Sequence, residues 1–424
     1  MLAYFIYFGL PVLLLTIGFP VFLILLVTSI VAVLTIAGAP PEALQTYMFG
    51  SLDNFPLLAV PFFVLAGEIM AQGGIARRII AMVMAIIGGV RGSLGLTTVA
   101  ASELFGAMSH TAIGTVVAMG RMLYPSLKDA GYEDRFAVGL IASSGAIAVM
   151  IPPSIAMILY AVSAEQSAVA LFTAGILPSL LIGLIDGCFV LTYARIKKVP
   201  LGQPAHWNLV WKTTKDASWS IGTLVVIFGG IYGGVFTPTE AAGVAVVYSI
   251  FVTMAIYREV DLARFWKILV DAAFLISQIL LIVTSAGIYS WLLTTSGIPQ
   301  QIVGAIDALN LSKWELLLCL NVGLLAAGSF LEPPAAILIL TPLLLPIVEG
   351  VGVNPIHFGI IVTVNLSLGM YAPPFGLNLF SSQAIFNAPL GRIYRGVLPF
   401  LLLNFIALLI ITYIPQISMV LLHR

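Results

Sequence analysis

Residues 1–41 contain no Asp, Glu, Lys, Arg or His. That run is long enough for two spans of about 20 residues each, with a natural break at Gly18-Phe19-Pro20. Two later stretches do not read as simple spans. Residues 95–120 are rich in Ser, Thr, Ala and Gly and centre on Met108-Ser109-His110-Thr111. Residues 316–346 are bisected by Gly328-Ser329-Phe330-Leu331-Glu332-Pro333-Pro334. Half-segments of about 12 residues make helices of about 18 Å, short of a hydrocarbon core of about 30 Å. The pattern therefore predicts two re-entrant helical hairpins whose non-helical tips line a protein cavity, the only setting in which such backbone survives at membrane depth. Beyond each hairpin an apolar run carries a double proline, Ile151-Pro152-Pro153-Ser154 and Ala372-Pro373-Pro374-Phe375-Gly376. Paired prolines remove two backbone donors and free carbonyls one turn upstream. Gly145 and Gly369 sit just before them and add flexibility. Broken helices are thus expected over about 136–162 and 356–386.

The two unusual stretches are copies of each other. At an offset of 221, Pro125 meets Pro346, Gly131 meets Gly352, and Pro152-Pro153 meets Pro373-Pro374. At the same offset Gly175-Ile-Leu-Pro-Ser-Leu-Leu181 meets Gly396-Val-Leu-Pro-Phe-Leu-Leu402. Pro and Gly mark the most constrained backbone positions, so their shared register means shared breaks. The chain divides into a first repeat (1–195), a linker (196–215) and a second repeat (216–424).

Composition explains why so much of the chain is apolar. Hydrophobic residues make up 60% and charged residues 8%, with a mean hydropathy of +1.11. A soluble surface needs about a quarter charged residues, so this is an all-α polytopic membrane protein. The 18 basic and 18 acidic residues balance, and no basic patch interleaved with aromatics invites nucleic acid. Cys188 and Cys319 lie in apolar runs and read as small hydrophobes packed inside.

The few charges set the orientation. Arg121, Lys128 and Arg135 have no Lys or Arg counterpart in residues 342–356. Conversely, Arg392 and Arg395 correspond to Leu171 and Ala174, and Arg258, Arg264 and Lys267 fall opposite the base-free residues 37–46. Basic connections mark the cytoplasmic face, so equivalent loops lie on opposite faces and the repeat is inverted, as in many secondary transporters. The linker, basic from Arg195 to Lys215, is expected in the cytoplasm, which puts both termini on the other side. Trp207, Trp211 and Trp219 fit an interfacial belt.

Freed carbonyls at the double prolines suit a desolvated cation, and nearby helix N-termini suit a carboxylate. Among the intramembrane acids Glu68, Glu103, Asp186, Glu240, Asp271 and Glu332, Glu332 is the best functional candidate because it stands at a hairpin tip. Glu240 reads as a helix start, with Thr237 or Thr239 as its cap. Asp186 reads as structural. None of the four histidines has metal-ligand spacing, and no nucleophile elbow, zinc motif or phosphate loop occurs. An enzyme or an ATP-driven pump finds no support.

Gly131-Tyr132, Gly145-Ala-Ile-Ala-Val-Met-Ile-Pro-Pro-Ser154, Phe236-Thr-Pro-Thr-Glu-Ala-Ala242 and Pro373-Pro-Phe-Gly-Leu-Asn-Leu-Phe380 resemble the large membrane subunit of tripartite ATP-independent periplasmic (TRAP) transporters, over residues 18–415. The resemblance implies a sodium-coupled importer of an organic acid anion in the bacterial inner membrane, working by an elevator mechanism. It implies a periplasmic binding protein that captures the solute and a small four-helix membrane subunit that braces this one. A first sodium site would involve Ser109, His110, Thr111, Gly145, Val149 and Pro152. A second would involve Gly328, Leu331, Glu332, Gly369, Ala372 and Pro373. The solute would lie among Ser109, Thr111, Ser154, Glu332, Pro374 and Gly376. Where the family's first tip usually reads Ser-Gly-Ser-Ser, this chain has Ser109-His110-Thr111-Ala112, and Ala372 replaces the usual Thr before the second proline pair.

A stand-alone ion-coupled carrier or antiporter on a related inverted repeat is the alternative reading. The topology is testable by cysteine labelling. A cysteine at Leu309 is expected to react with an impermeant reagent from the periplasm, and one at Lys128 from the cytoplasm; the reverse pattern contradicts the charge argument.

Overall fold

A computed structural model describes residues 2–202, 204–308 and 311–423. Leu309, expected to face the periplasm, and the terminal residues Met1 and Arg424 lie outside the described residues. Among those described there is no strand, only one isolated bridge between Arg91 and Leu201. Seven helical segments are long and apolar enough to cross a bilayer.

α1 (Leu2–Tyr4) and α2 (Leu10–Ile17) flank a π-helical turn, and α2 ends at Gly18 with φ 91°. Pro20 then starts α3 (Val21–Ala32), so the break falls where the sequence places it. α4 (Glu42–Gly50), α5 (Ala59–Gln72) and α6 (Ile75–Ile87) follow. Hairpin 1 is α7 (Ser93–Ser109) and α8 (Ala112–Asp129); the first broken helix is α9 (Asp134–Ile147) and α10 (Ile155–Ser163). α11 (Ala168–Ile196) closes the first repeat. The second repeat opens with α12 (Trp207–Tyr232) and α13 (Pro238–Ile250), the latter capped by a reciprocal Thr237–Glu240 box. α14 (Leu262–Thr295) and α15 (Ile298–Ala308) lead to hairpin 2, α16 (Lys313–Phe330) and α17 (Pro333–Gly350). The second broken helix is α18 (Pro355–Gly369) and α19 (Leu377–Phe386), followed by α20 (Leu390–Tyr413) and α21 (Gln416–Met419). The starts of α8 and α17, and of α9 and α18, differ by the same 221 positions.

Some features differ from expectation. The hairpin arms are 17 or 18 residues long, because Pro125, Pro342 and Pro346 sit inside the helices without ending them. Each arm is about 26 Å; it reaches the level of the helix breaks only at its tip, and its base runs out into polar loops. The linker is shorter than 196–215, since α12 already begins at Trp207. Cys188 and Cys319 are exposed free thiols on apolar helices instead of packed inside. α14 is continuous for 34 residues, whereas its counterpart is interrupted between α4 and α5. Asp53, Asn54 and Pro56 cause that interruption, and the equivalent positions of α14 are Phe274, Leu275 and Ser277.

The two broken helices run antiparallel. Near the start of the first, Arg392 Nη1 of α20, just past the second, reaches Asp134 Oδ2 at 2.9 Å, and Phe386 at the end of α19 packs on Tyr124 of α8 with ring centroids 4.5 Å apart. At the other end the Tyr160 hydroxyl donates to the Pro355 carbonyl at 2.7 Å. α19 packs on α8 while α10 packs on α17, so each repeat closes on the hairpin of the other. Gly139 and Gly396 let α9 and α20 cross backbone to backbone; a Cβ on Gly139 would stand 2.1 Å from the Gly396 oxygen. α3, α5, α13 and α14 form a frame beside the hairpins. Lys197, Arg135 and Lys128 gather with Glu133 and Asp134 at the base of hairpin 1. The Lys197 ammonium, with Arg135, holds the Glu133 carboxyl below its usual range.

Candidate functional site

Each hairpin tip is pressed onto its own broken helix. In the first repeat a Cβ on Gly106 would stand 2.4 Å from Ala148 Cα, and one on Gly145 would stand 2.3 Å from Val116 Cγ2 and 3.2 Å from the Ala112 oxygen. In the second, a Cβ on Gly369 would stand 2.4 Å from the Gly328 carbonyl carbon. Such approaches need residues with no or minimal side chains. They bring the start of α8, just past the first tip, to Gly145, and Gly328 of the second tip to Gly369, so each tip meets its own break.

The tips are non-helical for local reasons. His110 takes φ 53°, the left-handed region that favours glycine, in keeping with the glycine usual at this place in the resembling family. Its ring meets Phe63 edge-on at 4.8 Å between centroids. Thr111 is extended and precedes α8; Glu332 is extended and precedes α17, with its carboxylate making no cap bond. The Ser109 and Thr115 hydroxyls are 3.1 Å apart behind the tip.

The breaks satisfy part of their own backbone. The Ser154 hydroxyl donates to the Val149 carbonyl at 2.5 Å. Gly376 N–H donates to the Ala372 carbonyl at 3.1 Å, and Asn378 N–H to Met370 at 2.8 Å. A carbonyl has a second lone pair, so Val149 and Ala372 retain acceptor capacity.

Between the tips and the frame lies a cavity of about 390 Å³. Both tips reach it, through His110 and Thr111 on one side and Glu332 and Pro333 on the other, together with Val149 and Met370 from the breaks. Four helix starts converge there: Ala112 of α8, Ile155 of α10, Pro333 of α17 and Leu377 of α19. The positive ends of four helix dipoles therefore face inward, although Pro333 and Pro334 offer no N–H and the Asn378 N–H is already paired with Met370; the carbonyl ends of α7 and α16 lie at the tips and those of α9 and α18 at the breaks. Among the described residues, no Lys or Arg lines the cavity.

Of the expected solute residues, Thr111 and Glu332 line this cavity. Ser109 is buried behind its tip, Ser154 caps α10, the Pro374 carbonyl accepts from Tyr394, and Gly376 packs on Met370. Glu68 of α5 and Gln278 of α14 also line it. Glu68 stands out in the sequence as an intramembrane acid, whereas nothing local marks Gln278. Asn378, fully buried, sends its Nδ2 to the Ala142 carbonyl at 3.0 Å and ties the two broken helices together; a lone amide in the apolar run after the proline pair was its only signal.

A helical membrane chain with paired hairpins around a shared cavity is a transporter permease by architecture, and comparison with known proteins agrees. Residues 8–417 match the family model described as "Tripartite ATP-independent periplasmic transporter, DctM component". The chain is 40% identical over 391 residues to the C4-dicarboxylate TRAP transporter large permease protein DctM of Pseudomonas aeruginosa, covering 92% of each. It is 35% identical over 410 residues to the ectoine/5-hydroxyectoine large permease protein UehC of Ruegeria pomeroyi, covering 96% of each. It is also 37% identical over 418 residues to the isethionate permease protein DctMQ of Oleidesulfovibrio alaskensis, covering 97% of this chain and 65% of that one. The solved YdaH transporter of Alcanivorax borkumensis shares the fold, with a TM-score of 0.62, 16% identity, and coverage of 95% of this chain and 97% of that one. The chain belongs to the DctM family of TRAP transporter large permeases.

The tip–break crossing is open to direct challenge. Gly369→Val pushes hairpin 2 off its break. Solute uptake by the reconstituted complex is expected to fall at least about tenfold, the equivalent of about 1.4 kcal/mol of overpacking, with membrane insertion retained. Uptake within about twofold of the parent would mean that the close approach is dispensable.

Proposed function

We propose that this chain is the translocating subunit of a sodium-driven importer of organic acid anions in the bacterial inner membrane, with both termini in the periplasm. A periplasmic binding protein delivers the solute and a small four-helix membrane subunit braces the frame. The observation that carries this reading is the convergence of four helix starts on one cavity that lacks Lys and Arg. Helix starts attract an anion without fixing its geometry, which fits a family whose members are named for C4-dicarboxylates, isethionate and ectoine. The DctMQ relative, longer than this chain, supports a small-subunit partner.

Sodium is the natural counter-ion. Ser109, His110, Thr111, Gly145, Val149 and Pro152 form the first proposed site. Gly328, Leu331, Glu332, Gly369, Ala372 and Pro373 form the second. Backbone carbonyls and hydroxyls are the ligands a hard, desolvated cation prefers. Ions beside the cavity offset the Glu68 and Glu332 carboxylates, so an anionic solute binds well only when sodium is present. In the proposed elevator movement, hairpins and broken helices travel together past α5 and α14, because each tip is locked to a break.

Proteoliposomes containing this chain, its small subunit and the binding protein test the reading with a labelled C4-dicarboxylate and labelled ectoine. One of the two is expected to accumulate under an inward sodium gradient. Accumulation of solute under a proton gradient without sodium, or without the binding protein, overturns it.

A further inference from the structure

The proposed sodium and solute sites leave unused a second group of buried acids. Asp186, in the middle of α11, is fully buried. Glu103 of α7 lies against the same face of α11: a Cβ on Gly183, one turn before Asp186, would stand 1.5 Å from Glu103 Oε1. Neither acid belongs to any ion pair among the described residues. The titratable groups facing Asp186 are Glu103 and Tyr371, and no cation is among them.

Asn404 of α20 joins this group to the second break. Its Nδ2 donates to Asp186 Oδ2 at 3.4 Å and to the Tyr371 hydroxyl at 3.0 Å. Tyr371 is two residues before Pro373 and is itself fully buried. Among the described residues, the remaining oxygens, Asp186 Oδ1 and Asn404 Oδ1, have no partner, and neither has Glu103 Oε1. A carboxylate and an amide oxygen both only accept, so neither supplies the other's missing bond, and orphaned buried polar atoms are costly. A single proton removes the conflict: on Asp186 Oδ1 it makes a donor that the Asn404 oxygen accepts, closing an acid–amide ring with the existing Nδ2 contact.

We infer that Asp186, flanked by Glu103, is a proton-binding site that couples hairpin 1 to the second break through Asn404 and Tyr371. With the proton bound, Asp186 is neutral and Tyr371 holds the break in place. Loss of the proton leaves a negative charge buried without a counter-ion, which pulls on Asn404 and releases its bond to Tyr371. Transport driven by a fixed sodium gradient therefore falls as the pH becomes alkaline, without protons supplying the driving force.

Infrared spectroscopy of the full chain with its small subunit in lipid reads the site directly, with no solute present. The stretch of a protonated carboxyl is expected at neutral pH and is expected to be lost in Asp186→Asn. In proteoliposomes, Asp186→Asn, which keeps a neutral ring with Asn404, is expected to abolish the alkaline fall in uptake. Glu103→Gln, which removes the neighbouring negative charge, is expected to move that fall to lower pH and remains informative if the Asp186 variant does not insert. A carboxyl stretch unchanged in Asp186→Asn, or an alkaline fall unmoved in both variants, overturns the inference. Because the spectrum needs no solute, that failure is distinct from a failure of sodium-driven import.

Discussion

Backbone that leaves a helix within a membrane must be covered by protein, because lipid offers it no hydrogen bonds. This chain breaks two helices at double prolines and ends two pairs of helices at hairpin tips, four such places in all. It covers them with one another. Gly106 on Ala148, Gly145 on Val116 and Gly328 on Gly369 bring tip and break together at distances that a larger side chain would prevent. The rest of the architecture follows from that constraint. Two copies in opposite senses let each repeat lay the second half of its broken helix on the other's hairpin, so neither repeat is complete alone.

The same breaks create the electrostatics. Wherever a helix is interrupted, a negative carbonyl end faces a positive N–H end across a few residues. Doing this at two tips and two breaks gathers four N-terminal ends around one cavity and leaves carbonyl ends beside them. Under the proposed function, an anion and its counter-cations share a site built mainly of backbone. Such a site sets charge and size more than identity, in keeping with the varied solutes for which relatives are named. The polar side chains that line the cavity are His110, Thr111, Glu332, Glu68 and Gln278.

Much of this was legible in the sequence. The offset of 221 locates equivalent breaks, and Arg392 and Arg395 standing opposite Leu171 and Ala174 reveal the inversion that Tyr160–Pro355 and Arg392–Asp134 then make physical. What stayed hidden is tertiary. A proline inside a well-packed helix need not end it, so Pro125 and Pro342 did not mark arm lengths. Ser154 was a candidate ligand by position, yet its hydroxyl serves the Val149 carbonyl. Gln278 reaches the cavity only because α14 crosses it, and no periodicity announces that. Asp186 read as structural until Asn404, 218 positions away, supplied a partner with an orphaned oxygen.

In the proposed elevator movement, tips and breaks form one body that moves against the frame. Phe63 on α5 and His110 at the first tip straddle that boundary, with ring centroids 4.8 Å apart. Cysteines at both positions, bridged by a mercuric ion in the reconstituted complex, should arrest uptake, and a thiol that strips the mercury should restore it. Undiminished uptake with the bridge intact would show that the tip does not leave α5, and the account would fail.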